Sequence, residues 1–194
     1  LGRAVMDGFD MGGVMPVIKH MPGHGRATVD SHDELPCIDS DSDTLRKSDF
    51  QPFKQLNDAL LGMTGHLLFS AIDEVAVSTC SKTVIADIIR NHIGFDGVLM
   101  SDDISMSALV GNMRARVTGA LKAGCDMVLH CNGDMAEMLA IAEILPSKPS
   151  IDAAPRIARV DEALATLQSD VPKGVRKVWE EIMADIFPES QNAL

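Results

Sequence analysis

Lys19-His20-Met21-Pro22-Gly23-His24-Gly25, followed by Asp30-Ser31-His32, gathers a Lys, three His and an Asp around two glycines and a proline. Histidine, with an ordinary pKa of about 6.5, both gives and takes protons near neutrality, and a carboxylate two residues away can fix its tautomer and stabilise its cation. The pair Asp30/His32 therefore has the composition of an acid/base unit, provided the loop bends enough to bring i and i+2 together. Lys19 and His20 close the apolar run Val14-Met15-Pro16-Val17-Ile18 and should project from the end of a strand as hydrogen-bond donors. A second candidate is Asp102, which follows Val98-Leu99-Met100. A carboxylate at the C-terminal end of a buried strand is where parallel α/β scaffolds present reactive groups. Adjacent side chains on an extended segment point opposite ways, so only one of Asp102 and Asp103 can face such a site. The competing role for Asp102 is to cap a helix starting near Ser105.

Three segments together carry a resemblance. Lys19-His20-x-Pro22-Gly23-His24-Gly25 with Asp30-Ser31-His32 is similar to the signature loop of glycoside hydrolase family 3, in particular its single-domain bacterial β-N-acetylglucosaminidases. Phe95 to Met106 resembles that family's nucleophile strand and loop, and Ala123-Gly124-Cys125-Asp126-Met127-Val128-Leu129 the strand after it; the likeness runs from about Met6 to about Gln168. What the resemblance implies is a retaining exo-β-N-acetylglucosaminidase acting on muropeptides in bacterial cytoplasmic peptidoglycan recycling. In that reading Asp102 is the nucleophile, and His32 oriented by Asp30 is the acid/base in place of the customary Glu. Lys19 and His20 bind hydroxyls of the N-acetylglucosamine ring. No cofactor and no metal is implied.

Other chemistries fit less well. His20, His24, His32 and Asp30 are zinc-competent, but their spacing matches no closed structural site and a flexible loop is a poor tetrahedral cage. A metal-dependent hydrolase stays open as an alternative. There is no GxSxG elbow and no Walker loop. A net charge of −11 disfavours a general nucleic-acid binder, and no apolar run reaches the roughly 18 residues of a membrane span. The first ten residues lack a signal-peptide pattern, so a cytoplasmic location is expected. Cys37, Cys80, Cys125 and Cys131 show no CxxC spacing and read as buried, reduced thiols.

The elements that must position these groups alternate. Short apolar runs at Val14–Ile18, Ala59–His66, Gly97–Met100 and Met127–Cys131 read as parallel strands covered on both faces. Between them lie helix-like stretches, one capped by Ser81 and closed by Gly94, then Leu109–Lys122 and Met135–Leu145. This is an α/β pattern, read as the C-terminal half of a TIM-type (β/α)8 barrel, since a whole barrel needs about 250 residues. Residues 1–168 are assigned to the barrel. The remainder, 169–194, is read as an amphipathic helix docked on it through Val175, Val178, Trp179, Ile182 and Ile186. Cys37 to Asp43 is expected to be a solvated connection. A half-barrel leaves open sheet edges, so a non-catalytic chain that self-associates is the second reading.

Overall fold

A computed structural model describes residues 1–167, together with Gly174, Lys177, Val178, Glu181 and Ile182. Apart from those five positions, the helix expected over 169–194 lies outside the described residues.

The chain opens with α1 (Gly2–Met11), β1 (Val17–Met21), β2 (Cys37–Ile38), α2 (Ser42–Lys47), α3 (Gln51–Lys54), β3 (Leu61–Thr64) and β4 (Leu68–Phe69). A widened, π-type helix at Val84–Ile93 leads to β5 (Val98–Asp103), α4 (Met113–Ala123), β6 (Met127–Leu129), α5 (Met135–Ile144) and α6 (Ala153–Thr166). Four strands form one parallel sheet in the order β1-β3-β5-β6. Sequential parallel strands joined through helices are a partial barrel.

The helix boundaries follow their caps. Ser81 Oγ accepts the Val84 amide at 3.0 Å, and Gly94 closes that helix in the left-handed conformation. Val84, Ile85, Ile88, Ile89 and Ile93 are buried along it, and the isoleucines pack with Phe95 and Leu99 in the main core. Helix α4 starts later than the Leu109 expected, because Asn112 Oδ1 caps it by accepting the Ala115 amide at 3.0 Å. Leu109 instead joins Ile104, Val117 and Ile141 in a second apolar cluster.

The strands correct the sequence expectation in three places. Strand β1 begins at Val17, not Val14, immediately after Pro16, which has no amide hydrogen for the ladder. Lys19 and His20 therefore stand within β1 and not beyond it. Strand β6 ends at Leu129, so Cys131, expected at its end, lies beyond it. Cys37 to Asp43 is not a plain solvated connection either. Ile38 is buried, β2 pairs in parallel with β4, and Asp41 caps α2 by accepting the Thr44 amide. Two of the four free thiols, Cys37 and Cys131, are exposed, which corrects the expectation that all four are buried.

Candidate active site

The loop after β1 is shaped before it is reactive. Gly23 has φ +155°, and a Cβ there would stand 3.0 Å from the Asp49 carbonyl oxygen, so the turn passes too close to α2's end for any other residue. Arg26 then clamps the loop: its Nε lies 2.9 Å from both Asp49 carboxylate oxygens and its second nitrogen reaches Ser48 Oγ. The peptide bonds Lys19-His20 and Met21-Pro22 are cis.

The bend that the i, i+2 pair requires is present. Asp30 Oδ1 accepts the His32 backbone amide at 2.9 Å and His32 Nδ1–H at 2.7 Å. With Nδ1 committed to the carboxylate, Nε2 is the nitrogen that faces outward for proton transfer. The Asp30 hydrogen bond and charge hold the His32 pKa above the ordinary histidine value, while the His32 amide and ring hold Asp30 below the ordinary carboxylate range. Both side chains are open to water, at 74% and 63% exposure, so the pair is accessible to a ligand.

Asp102 lies near the end of β5 with its side chain only 15% exposed, and its Oδ2 is 3.6 Å from His20 Nε2. Burial pushes the His20 pKa down, against the opposing pull of Asp102, which favours a neutral ring able to donate a hydrogen bond. The neighbouring carboxylate has a separate task. Asp103 accepts the Ser105 amide (3.0 Å), the Ser105 hydroxyl (2.6 Å) and the Cys131 amide (3.1 Å). The turn after β5 is thus held by Asp103, which removes the capping role considered for Asp102 and leaves its Oδ2 toward the loop.

A cavity of about 510 Å³ is bounded by Lys19, His20, His24, Gly25, Asp30, Ser31, His32 and Asp102. All five residues nominated from sequence stand around one space. His24 is half-buried, with Nε2 3.4 Å from Ser31 Oγ. Sequence reasoning missed the Arg26–Asp49 clamp, because its halves are far apart and neither sits in a recognisable motif. His66, just beyond β3, is fully buried outside this cavity, with both ring nitrogens bonded. Among the described residues no group of three His, Cys, Asp or Glu side chains is placed to hold a metal ion.

A hydrogen-bonded His/Asp pair and a strand-end carboxylate thus border one polar cleft at the C-terminal ends of the parallel strands. The family model described as the glycosyl hydrolase family 3 N terminal domain matches residues 1–166, and the chain belongs to that family. It is 39% identical over 156 residues to a beta-hexosaminidase of Chromobacterium violaceum, covering 78% of this chain and 43% of the relative. It is 33% identical over 190 residues to one of Bordetella avium, covering 95% and 50%. Among solved structures, a family 3 beta-N-acetylglucosaminidase from Paenibacillus superposes over 94% of this chain and 39% of its own, with TM-score 0.78 at 24% identity. NagZ from Neisseria gonorrhoeae, in complex with N-trifluoroacetyl-D-glucosamine, superposes over 93% and 49%, with TM-score 0.71 at 26% identity. The chain thus spans about half the length, or less, of the relatives it matches. No helix among the described residues is long and apolar enough to cross a membrane.

Proposed function

We propose that this chain carries the catalytic loops of a retaining exo-β-N-acetylglucosaminidase that releases terminal N-acetylglucosamine from muropeptides in cytoplasmic peptidoglycan recycling. One observation carries the reading: Asp102 and the Asp30-bound His32 line the same cleft as two sugar-hydroxyl donors, Lys19 and His20. The named activity of the relatives and the sugar analogue bound by the Neisseria protein support the substrate class.

In the first step the Asp102 carboxylate forms a bond to the anomeric carbon as the glycosidic C–O bond breaks. His32 Nε2–H gives its proton to the departing oxygen, and Asp30 steadies the ring throughout. In the second step neutral His32 takes a proton from water, the water oxygen bonds to the anomeric carbon, and the Asp102–carbon bond breaks. Two displacements at one centre retain its configuration. Lys19 and neutral His20 anchor ring hydroxyls beside Asp102, holding the anomeric carbon within reach.

The test is hydrolysis of a chromogenic aryl β-N-acetylglucosaminide by the 194-residue chain and by a longer form that supplies the strands present in its relatives outside the match. Turnover by either form, abolished by Asp102→Ala, is the expected result. Silence from both would overturn the reading and return the metal-dependent and non-catalytic alternatives to consideration.

A further inference from the structure

His66 is fully buried between the end of β3 and the end of β5, and the proton-transfer scheme above leaves it without a role. Its Nε2 is 3.0 Å from the carbonyl oxygen of Asp103, the residue that follows Asp102. A carbonyl only accepts, so Nε2 carries the hydrogen. Its Nδ1 is 2.7 Å from Thr79 Oγ1, which is in turn 2.8 Å from Thr64 Oγ1. With the ring neutral, Nδ1 is an acceptor and, at 2.7 Å, takes the single Thr79 hydroxyl hydrogen ahead of the Gly65 carbonyl at 3.2 Å, which the Ser78 hydroxyl already serves; the donors then run from Thr64 to Thr79, from Thr79 to His66 and from His66 to the Asp103 carbonyl. Thr64 and Thr79 are fully buried as well, so this relay is shielded from competition by water. Burial also lowers the pKa of His66, consistent with a neutral ring.

The far end of the relay meets a residue already tied in other directions. The Asp103 carboxylate is held by Ser105 and by the Cys131 amide beyond β6, and the Ile104 amide donates to the Leu129 carbonyl at 2.9 Å. Asp103's own amide donates to Asp102 Oδ1 at 2.9 Å. Asp103 is thus held through its carbonyl by His66, at the end of β3, and through its carboxylate by the Cys131 amide beyond β6, and its own amide, one peptide plane back, carries that constraint to Asp102 Oδ1. We propose that His66 is a positioning residue: through the Asp103 carbonyl it sets the direction of the Asp102 carboxylate toward His20 and the sugar cleft. The role of Asp102 as nucleophile is the reading this inference builds on.

The measurement does not need turnover, so it separates the two. Nitrogen-15 NMR of the His66 ring should show a protonated Nε2 and a bare, accepting Nδ1. The ring of His20, 3.6 Å from Asp102, then reports where that carboxylate points. His66→Gln retains a donor at the Nε2 position, whereas His66→Leu has the bulk without the donor, and neither carries an imidazole charge. The His20 titration should stay near wild type in His66→Gln and move to lower pH in His66→Leu, as Asp102 turns away and its support of the imidazolium weakens. Should His66→Leu fail to fold, Thr79→Val removes the donor to Nδ1 and should loosen the Nε2 tautomer and shift His20 in the same direction. An unprotonated Nε2 in the wild type, or coincident His20 titrations in the Gln and Leu variants, would overturn the proposal. A nucleophile other than Asp102 would appear instead as turnover surviving Asp102→Ala.

Discussion

Asp30 acts on the His32 ring through one 2.7 Å hydrogen bond and its charge, with both side chains largely open to solvent. Because His32 is raised above its ordinary pKa, its imidazolium persists to higher pH, and in the reaction proposed above that keeps the acid present over a wider neutral range. Asp30→Asn removes the charge that favours the cation, so the His32 titration should fall toward about 6.5, followed by NMR of the ring protons. An unchanged titration would mean that the carboxylate does not tune this ring. Asp102→Asn should likewise lower the titration of His20, which loses the charge that opposes the effect of burial on its pKa. The Asp30/His32 pair was legible in sequence because its members are two residues apart and of the right types. The contact between His20 and Asp102 was not, since it depends on the register of β1 against β3 and of β3 against β5. The setting of His66 was not legible either, because its partners Thr79 and Asp103 lie far along the chain.

The strand ends remote from the site hold these elements in place. Arg90, part-buried beneath β5, donates to the carbonyls of Phe95 and Gly97 and to Asp126, whose other oxygen binds Arg156. Asp126 also accepts the Leu99 amide at 2.9 Å, so one carboxylate joins β5, β6 and α6. The Asp126 side chain is only 3% exposed, and Asp126→Ala removes the carboxylate paired with the part-buried Arg90, one of the two paired with Arg156, and the acceptor of the Leu99 amide, which should cost about 3 kcal/mol. That corresponds to a fall of roughly 6–12 °C in Tm by calorimetry; a change under about 2 °C would show the network to be dispensable. Gly97 is as constrained: a Cβ would fall 2.5 Å from the Ala59 carbonyl oxygen and 2.6 Å from that of Leu60. Gly97→Ala should therefore lower Tm by forcing β5 from β3, although it touches no site residue. The alternation of strands and helices, and the Ser81 and Gly94 boundaries, could be read from hydrophobic runs and capping residues. The short β2/β4 pair could not, because two-residue strands leave no periodic signal.

The four-stranded sheet ends on β1 and β6, and apolar side chains gather at these margins. Val5, Phe9, Val14 and Val17 are exposed around a cavity of about 530 Å³ between α1 and β1, and Met127, Met135 and Leu139 are exposed on the side of β6. Open parallel edges with apolar surroundings favour association. Sedimentation of the 194-residue chain should show self-association that the longer form lacks; a clean monomer would mean that these margins are tolerated in water. The partial barrel could be inferred from counting four strand-like runs against the length a barrel requires. The central claim, that Asp102 and His32 divide the two displacements, is tested most directly in a His32→Ala form of whichever chain turns over. A dinitrophenyl β-N-acetylglucosaminide, whose leaving group needs no proton, should still glycosylate the enzyme, while hydrolysis stalls without the base. Peptide mass mapping should then find one N-acetylglucosaminyl group on Asp102. Release of the phenolate with no adduct, or an adduct on another side chain, would contradict the account.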